Sequence, residues 1–292
     1  MTSLNLTVHA KQHQHVGKMR KRIRVLKGSK PNRKLELWYK VELLKVVRFI
    51  KQRTEAELLP LLRDTEAVWS KKIQGDALMV GDGIWDDINK KINDLAGSFG
   101  GIRDTAQRLA ALAAQRSKES VDASLAAAIR DSVKIDISGA LGSGSIGQVM
   151  EKAMVQNVEL ITSIPDQYLN KVRQTVFEGV GKGERYETVA ERIQHVADVT
   201  ESRAKLIARD QVSKMNGAFN EARQTSIGID KYVWSTSHDE RVRDTHSDND
   251  GKVFSWSDPP ETGHPGEDIQ CRCVALPYFD LDAEEKSLGI TE

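Results

Sequence analysis

The sequence is poor in cysteine, in aromatic residues and in long apolar runs, and each scarcity closes off a class of protein. Only two of the 292 residues are cysteines, and a single residue, Arg272, separates them. They cannot staple distant segments, and pairing with each other would close a small strained ring, so a disulfide framework is excluded. No stretch approaches the ~20 apolar residues of a spanning helix. The basic N-terminus has neither the apolar run nor the small-residue cleavage site of a signal peptide, which points to synthesis and folding in the cytosol. Aromatic residues make up 5% of the chain, whereas Ala, Leu, Lys, Glu and Gln are plentiful, a balance that favours helices over long strands. Hydrophobic content of 39% with a mean hydropathy of −0.47 still suffices for a core.

Charge is balanced overall and polarised along the chain. Up to Arg53 there are 15 basic residues against Glu36 and Glu42, a local charge of +13, and the remaining residues carry −12. A polycation joined to an acidic body suits a nucleic acid or an acidic protein surface as partner, because each neutralised phosphate releases counterions. Lys18, Arg20, Lys21, Arg22, Arg24 and Lys27 are the candidate DNA contacts. A solvated tail without a specific partner is the plainer alternative.

Periodicity predicts a mainly α protein with a small α+β C-terminal domain. Residues 1–34 read as a basic flexible arm, 35–138 as a helical region, 139–147 as a Gly/Ser hinge, 148–280 as the C-terminal domain, and 281–292 as an acidic tail. Asn32 is a candidate N-cap for a helix carrying Leu35, Trp38, Val41, Leu44, Val47 and Ile50, and Pro60 is expected to break or kink the segment beyond it. Ser163 and Thr200 are expected to cap separate helices. Val133–Ile137 resembles a short strand before Gly142-x-Gly144-x-x-Gly147, but its helical flanks argue for a hinge over a dinucleotide fold. Beyond Gly228, the segments Lys231–Trp234, Lys252–Phe254 and Cys273–Leu276 read as short strands.

The chemistry is concentrated near the end. On a strand, Cys271 and Cys273 would point their sulfurs to one face, forming a chelate that a soft metal such as zinc could use, with His246, Asp239, His238 and His264 as further donors. Two reduced cysteines packed in a core satisfy the same pattern. Asp239, Arg241 and Arg243 could pin an irregular segment through ion pairs, or could bind phosphate and act as an acid/base set beside His246.

As a set, several motifs resemble the Mu protein F-like family of phage head-morphogenesis, or minor head, proteins. They are Leu160-Ile161-x-Ser163-Ile164-Pro165-x-x-Tyr168, Ile207-Ala208-Arg209-Asp210-Gln211 with Asn216, Tyr232-x-Trp234-Ser235-Thr236, Asp239-x-Arg241-Val242-Arg243-x-x-His246, Gly251, and Cys271-Arg272-Cys273. The resemblance runs over about 148–277. Arg209-Asp210-Gln211 departs from an Arg-Thr-Glu-like triplet common in the family, and Glu267-Asp268 adds an acidic insertion.

The resemblance implies a structural minor capsid protein of a tailed phage, without established catalysis. Its partners would be the portal, other capsid proteins and packaged double-stranded DNA, and it would reside in the virion after assembly in the host cytoplasm. From the residues themselves, Trp234, Arg241, Arg243 and Gly251 are candidates for a structural motif, and His246, Cys271, Cys273 and Asp239 are the candidate ligands of one structural zinc. A metal-dependent nuclease or toxin-like enzyme built on Asp239, His246 and the cysteines is the alternative.

Overall fold

The computed structural model describes residues 23–72, 82–134, 136–138, 141 and 146–280. In chain order the elements are β1 (Ile23–Val25), α1 (Arg33–Lys72), α2 (Asp82–Ser98), α3 (Ile102–Val133), α4 (Ile146–Lys182), α5 (Tyr186–Ser226), β2 (Lys231–Ser235), α6 (Asp244–Ser247), β3 (Val253–Ser255) and β4 (Val274–Asp280). The mainly helical fold with a small C-terminal sheet is thus observed. Contacts divide the chain into two units: 1–36, 111–154 and 209–292 form one, and 37–110 with 155–208 form the other.

The second unit is all helical among the described residues. Its α1 stripe is Tyr39, Leu43, Val46, Val47 and Ile50, not the series at spacings of three read from the sequence; Val41 is exposed. A spacing of three drifts about 60° around the helix at each step, whereas spacings of three and four together stay on one face. Tyr39 donates from its hydroxyl to Asn157 Oδ1 at 2.7 Å, which satisfies two groups buried in this core.

Pro60 does not end α1, because apolar anchors on both sides, Leu58, Leu62 and Trp69, are fully buried and hold the helix through it. Pro165 likewise lies inside the continuous α4. Ser163 and Thr200 are not caps: their hydroxyls donate back to Leu160 O and Val196 O within unbroken helices.

In the first unit Asn32 does cap α1, its Oδ1 accepting from the backbone N–H groups of Lys34 and Leu35. Within the region expected to be an arm as far as residue 34, the described residues are built into the fold: β1 joins the sheet, Leu26 is buried, and Ser29 hydrogen-bonds Asn216. Lys18, Arg20, Lys21 and Arg22 lie outside the described residues, as do 281–292 and most of the expected hinge at 139–147. The expected strand at Val133–Ile137 is absent from the described part. There α3 runs to Val133, and Ile137 packs against Leu125 and Ile129.

The sheet has the order β1-β4-β2-β3, antiparallel throughout. β4 spans Val274–Asp280, so both cysteines precede it and do not lie on it. α5 ends at Ser226, and Gly228 follows with φ of 81°, a left-handed position that lets Ile229 N–H bond back to Gln224 O. That reversal carries the chain from helix directly into β2.

Candidate metal centre

The C-terminal half of α5 carries buried polar side chains that hold the irregular segment before β4. Ser213 Oγ donates to Cys271 O at 2.8 Å, Asp210 Oδ1 accepts from Gln270 N–H at 2.8 Å, and Gln224 receives the indole N–H of Trp256. The helix also admits backbone at close range: a Cβ at Gly217 would meet Pro265 O at 2.6 Å. Gly266, with φ of 98°, seats against Gly217 and points its N–H at Cys271 Sγ, 3.4 Å away.

Three donors converge on this seat. His246 Nδ1 lies 3.6 Å from Cys271 Sγ and 3.5 Å from Cys273 Sγ, and all three residues are buried. Their ligand atoms fall within 4.8 Å of one another, and they are the one such group among the described residues. The short helix α6 delivers the imidazole, and the edge of the Trp234 indole packs against it with ring centroids 5.3 Å apart.

Two of the donors have a hydrogen-bonded outer partner: His246 Nε2 lies 2.9 Å from Asp268 Oδ2, and Gly266 N–H serves Cys271, while Cys273 shares a core cluster with Trp234. Metal-binding histidines commonly engage their second nitrogen in this way. Cys271 is held down at about 6, first because Cys273 hydrogen-bonds its thiolate, against the opposing effect of burial. Cys273 is pushed up because its proton is the one shared with Cys271, and burial adds to the shift. The pair therefore favours one thiolate and one thiol, and a bound cation would displace the remaining proton.

Asp239, named from the sequence as a fourth donor, is engaged elsewhere. Its carboxylate is forked by Arg272 at 2.5 and 2.6 Å, which holds it below the usual carboxylate range. His264 Nδ1 is 2.9 Å from Tyr232 Oη, and His238 is exposed near Thr236 and Asp250. Arg243 donates to Ile269 O at 2.8 Å and lies 3.5 Å from Asp268. Gly251, with φ of 75°, donates to Trp234 O, while Trp234 N–H bonds Lys252 O across the same turn. Arg241 is exposed; its backbone N–H donates to Asp239 Oδ1. Arg24 lies on β1, and Lys27 is exposed just after it.

The residues matching a known family are 170–276, which enclose every donor and every partner just described except Arg24 and Lys27. The family is described as "Phage Mu protein F like protein". Residues 170–276 are thus similar to this family. An uncharacterized protein of Haemophilus influenzae is 42% identical over 154 residues, covering 52% of this chain and 34% of that protein. "Minor head protein GP7" of Bacillus phage SPP1 is 24% identical over 151 residues, 47% of this chain and 46% of that one. "NAD(+)--arginine ADP-ribosyltransferase EFV" of Enterococcus faecalis is 25% identical over 131 residues, 39% of this chain and 27% of that one. The chain thus spans less than half the length of each of these relatives. No solved structure matches.

Sequence reasoning missed Asp268, Gly217, Gly266 and Ser213. Asp268 stood in what looked like an acidic insertion, and the glycines could be found only from the close approach of Pro265 to α5.

Proposed function

We propose that the protein is a structural minor head protein of a tailed phage, set at the portal vertex beside packaged DNA and acting in head assembly and genome packaging or delivery. The observation that carries this reading is the Mu protein F-like match over 170–276, supported by similarity to a phage minor head protein. The polycationic N-terminus suits a neighbour rich in phosphate, and the partners would be the portal, other capsid proteins and double-stranded DNA. Among the described residues no helix is long and apolar enough to cross a membrane.

In this reading the C-terminal domain is closed by one structural zinc on His246, Cys271 and Cys273. The donor set fits a borderline-soft cation, which would supply cross-linking charge where the fold has short strands and long turns. A catalytic use is disfavoured by the same contacts. Asp239 is committed to Arg272, Asp268 serves the outer nitrogen of His246, and the donors are buried. The ADP-ribosyltransferase relative matches over 27% of its length, so its printed activity belongs to that whole protein.

Two assays test the proposal. Proteomics of purified virions should find the protein in mature heads, and its absence there would contradict a head role. Reversing the charge of Lys18, Arg20, Lys21, Arg22, Arg24 and Lys27 should abolish retention of double-stranded DNA at low salt. Undiminished retention would remove the DNA contact.

A further inference from the structure

We infer that the centre holds its metal through three protein donors and takes its fourth ligand from outside the described fold, a small donor that is water in plain buffer. This rests on the zinc reading above and extends it from a closed cross-link to a site open to one exogenous ligand.

The neighbouring side chains that could complete a tetrahedron are committed to other partners. Zinc prefers four ligands in a tetrahedron, and sites with three protein ligands complete the set with water or another small molecule. His246, Cys271 and Cys273 supply three donor atoms within 4.8 Å of one another. Asp268 binds the far nitrogen of the same ring, and the two imidazole nitrogens face divergent directions, so it cannot share a metal held at Nδ1. Asp239 is forked by Arg272, and moving it inward would break both bonds at 2.5 and 2.6 Å. His264 is turned to Tyr232, and His238, on a left-handed backbone with φ of 53°, is largely exposed.

The outer contacts place the donors without adding one. Gly266 presents its N–H toward Cys271 Sγ, and a donor hydrogen cannot ligate a cation. Relative exposures of 2% for His246, 3% for Cys271 and 6% for Cys273 limit an incoming ligand to a few atoms. Water and small anions of the size of azide meet that limit.

X-ray absorption on the zinc-loaded full-length protein tests this. We expect about one zinc per chain with two sulfurs at ~2.3 Å and two lighter donors at ~2.0–2.1 Å, only one of them an imidazole. In the cobalt(II)-substituted protein, azide should shift the ligand-field bands saturably, and His264→Gln should leave the starting spectrum unchanged. A second imidazole, bands indifferent to azide, or a spectrum altered by His264→Gln would overturn the open position while leaving the zinc site standing. Absence of stoichiometric zinc would overturn both readings.

Discussion

His246 divides its ring between two neighbours: Nε2 lies 2.9 Å from Asp268 Oδ2, which leaves Nδ1 facing the sulfurs of Cys271 and Cys273 at 3.6 and 3.5 Å. A carboxylate on Nε2 favours the tautomer with the proton there and leaves Nδ1 as a lone-pair donor. Arg243 braces the arrangement from outside, 3.5 Å from the same Asp268 oxygen.

Asp268→Asn should therefore weaken zinc binding by about 10- to 100-fold, the range found when outer partners of metal-binding histidines are removed. Competition with a chromophoric chelator measures it. Asp239→Asn, which breaks only an exposed pair with Arg272, should change affinity little; an equal loss in both variants would mean that Asp268 has no special position.

Gly217→Ala should loosen the seat of the Pro265–Gly266 segment, since the added Cβ would press on Pro265 O, a backbone atom that cannot swing aside. Both thermal stability and zinc affinity should fall, because Gly266 N–H serves Cys271. Gly147→Ala, where a Cβ meets nothing within 4 Å, is the control expected to do no harm.

Asp122→Ala should cost roughly 2 kcal/mol in urea unfolding by removing two charge-assisted bonds from the buried guanidinium of Arg223. Arg223 Nε and Nη2 reach the two Asp122 oxygens at 2.6 and 3.0 Å, and the arginine side chain is 3% exposed. A change below about 0.5 kcal/mol would show that solvent reaches the pair.

Glu221 gives a pH signature. Burial, with repulsion from Glu267, raises its affinity for a proton, against the opposite effect of His264 and Lys152. A carboxyl whose folded-state value is raised helps stability below its unfolded value, and that help is lost as pH rises through the folded value. Glu221→Gln should accordingly stabilise the protein near neutral pH, and the gain should shrink as the solution is acidified. A gain independent of pH would assign the effect to packing.

Much of the fold was legible because periodicity and capping are local. Asn32 at the start of α1, Gly228 after α5, and the three C-terminal strands all stand close to their expected places. Pro60 misled because burial on both sides of it outweighs the loss of one helical bond. At the centre, the proximity of two cysteines was written in their spacing and His246 was one of several candidate partners. Asp239 could not be separated from Asp268 by residue type alone, because it is the irregular segment between β3 and β4 that carries Asp268 to the imidazole. Arg272, lying between the cysteines, gives the reason: it points away from the sulfurs and draws Asp239 with it.

Elemental analysis of the purified full-length protein, beside a Cys271→Ser/Cys273→Ser variant, tests the central claim most directly. The account predicts about one zinc per chain in the native protein, its loss in the variant, and reduced stability of the C-terminal sheet. Folded native protein that takes up no metal would contradict it and leave the two cysteines as core packing.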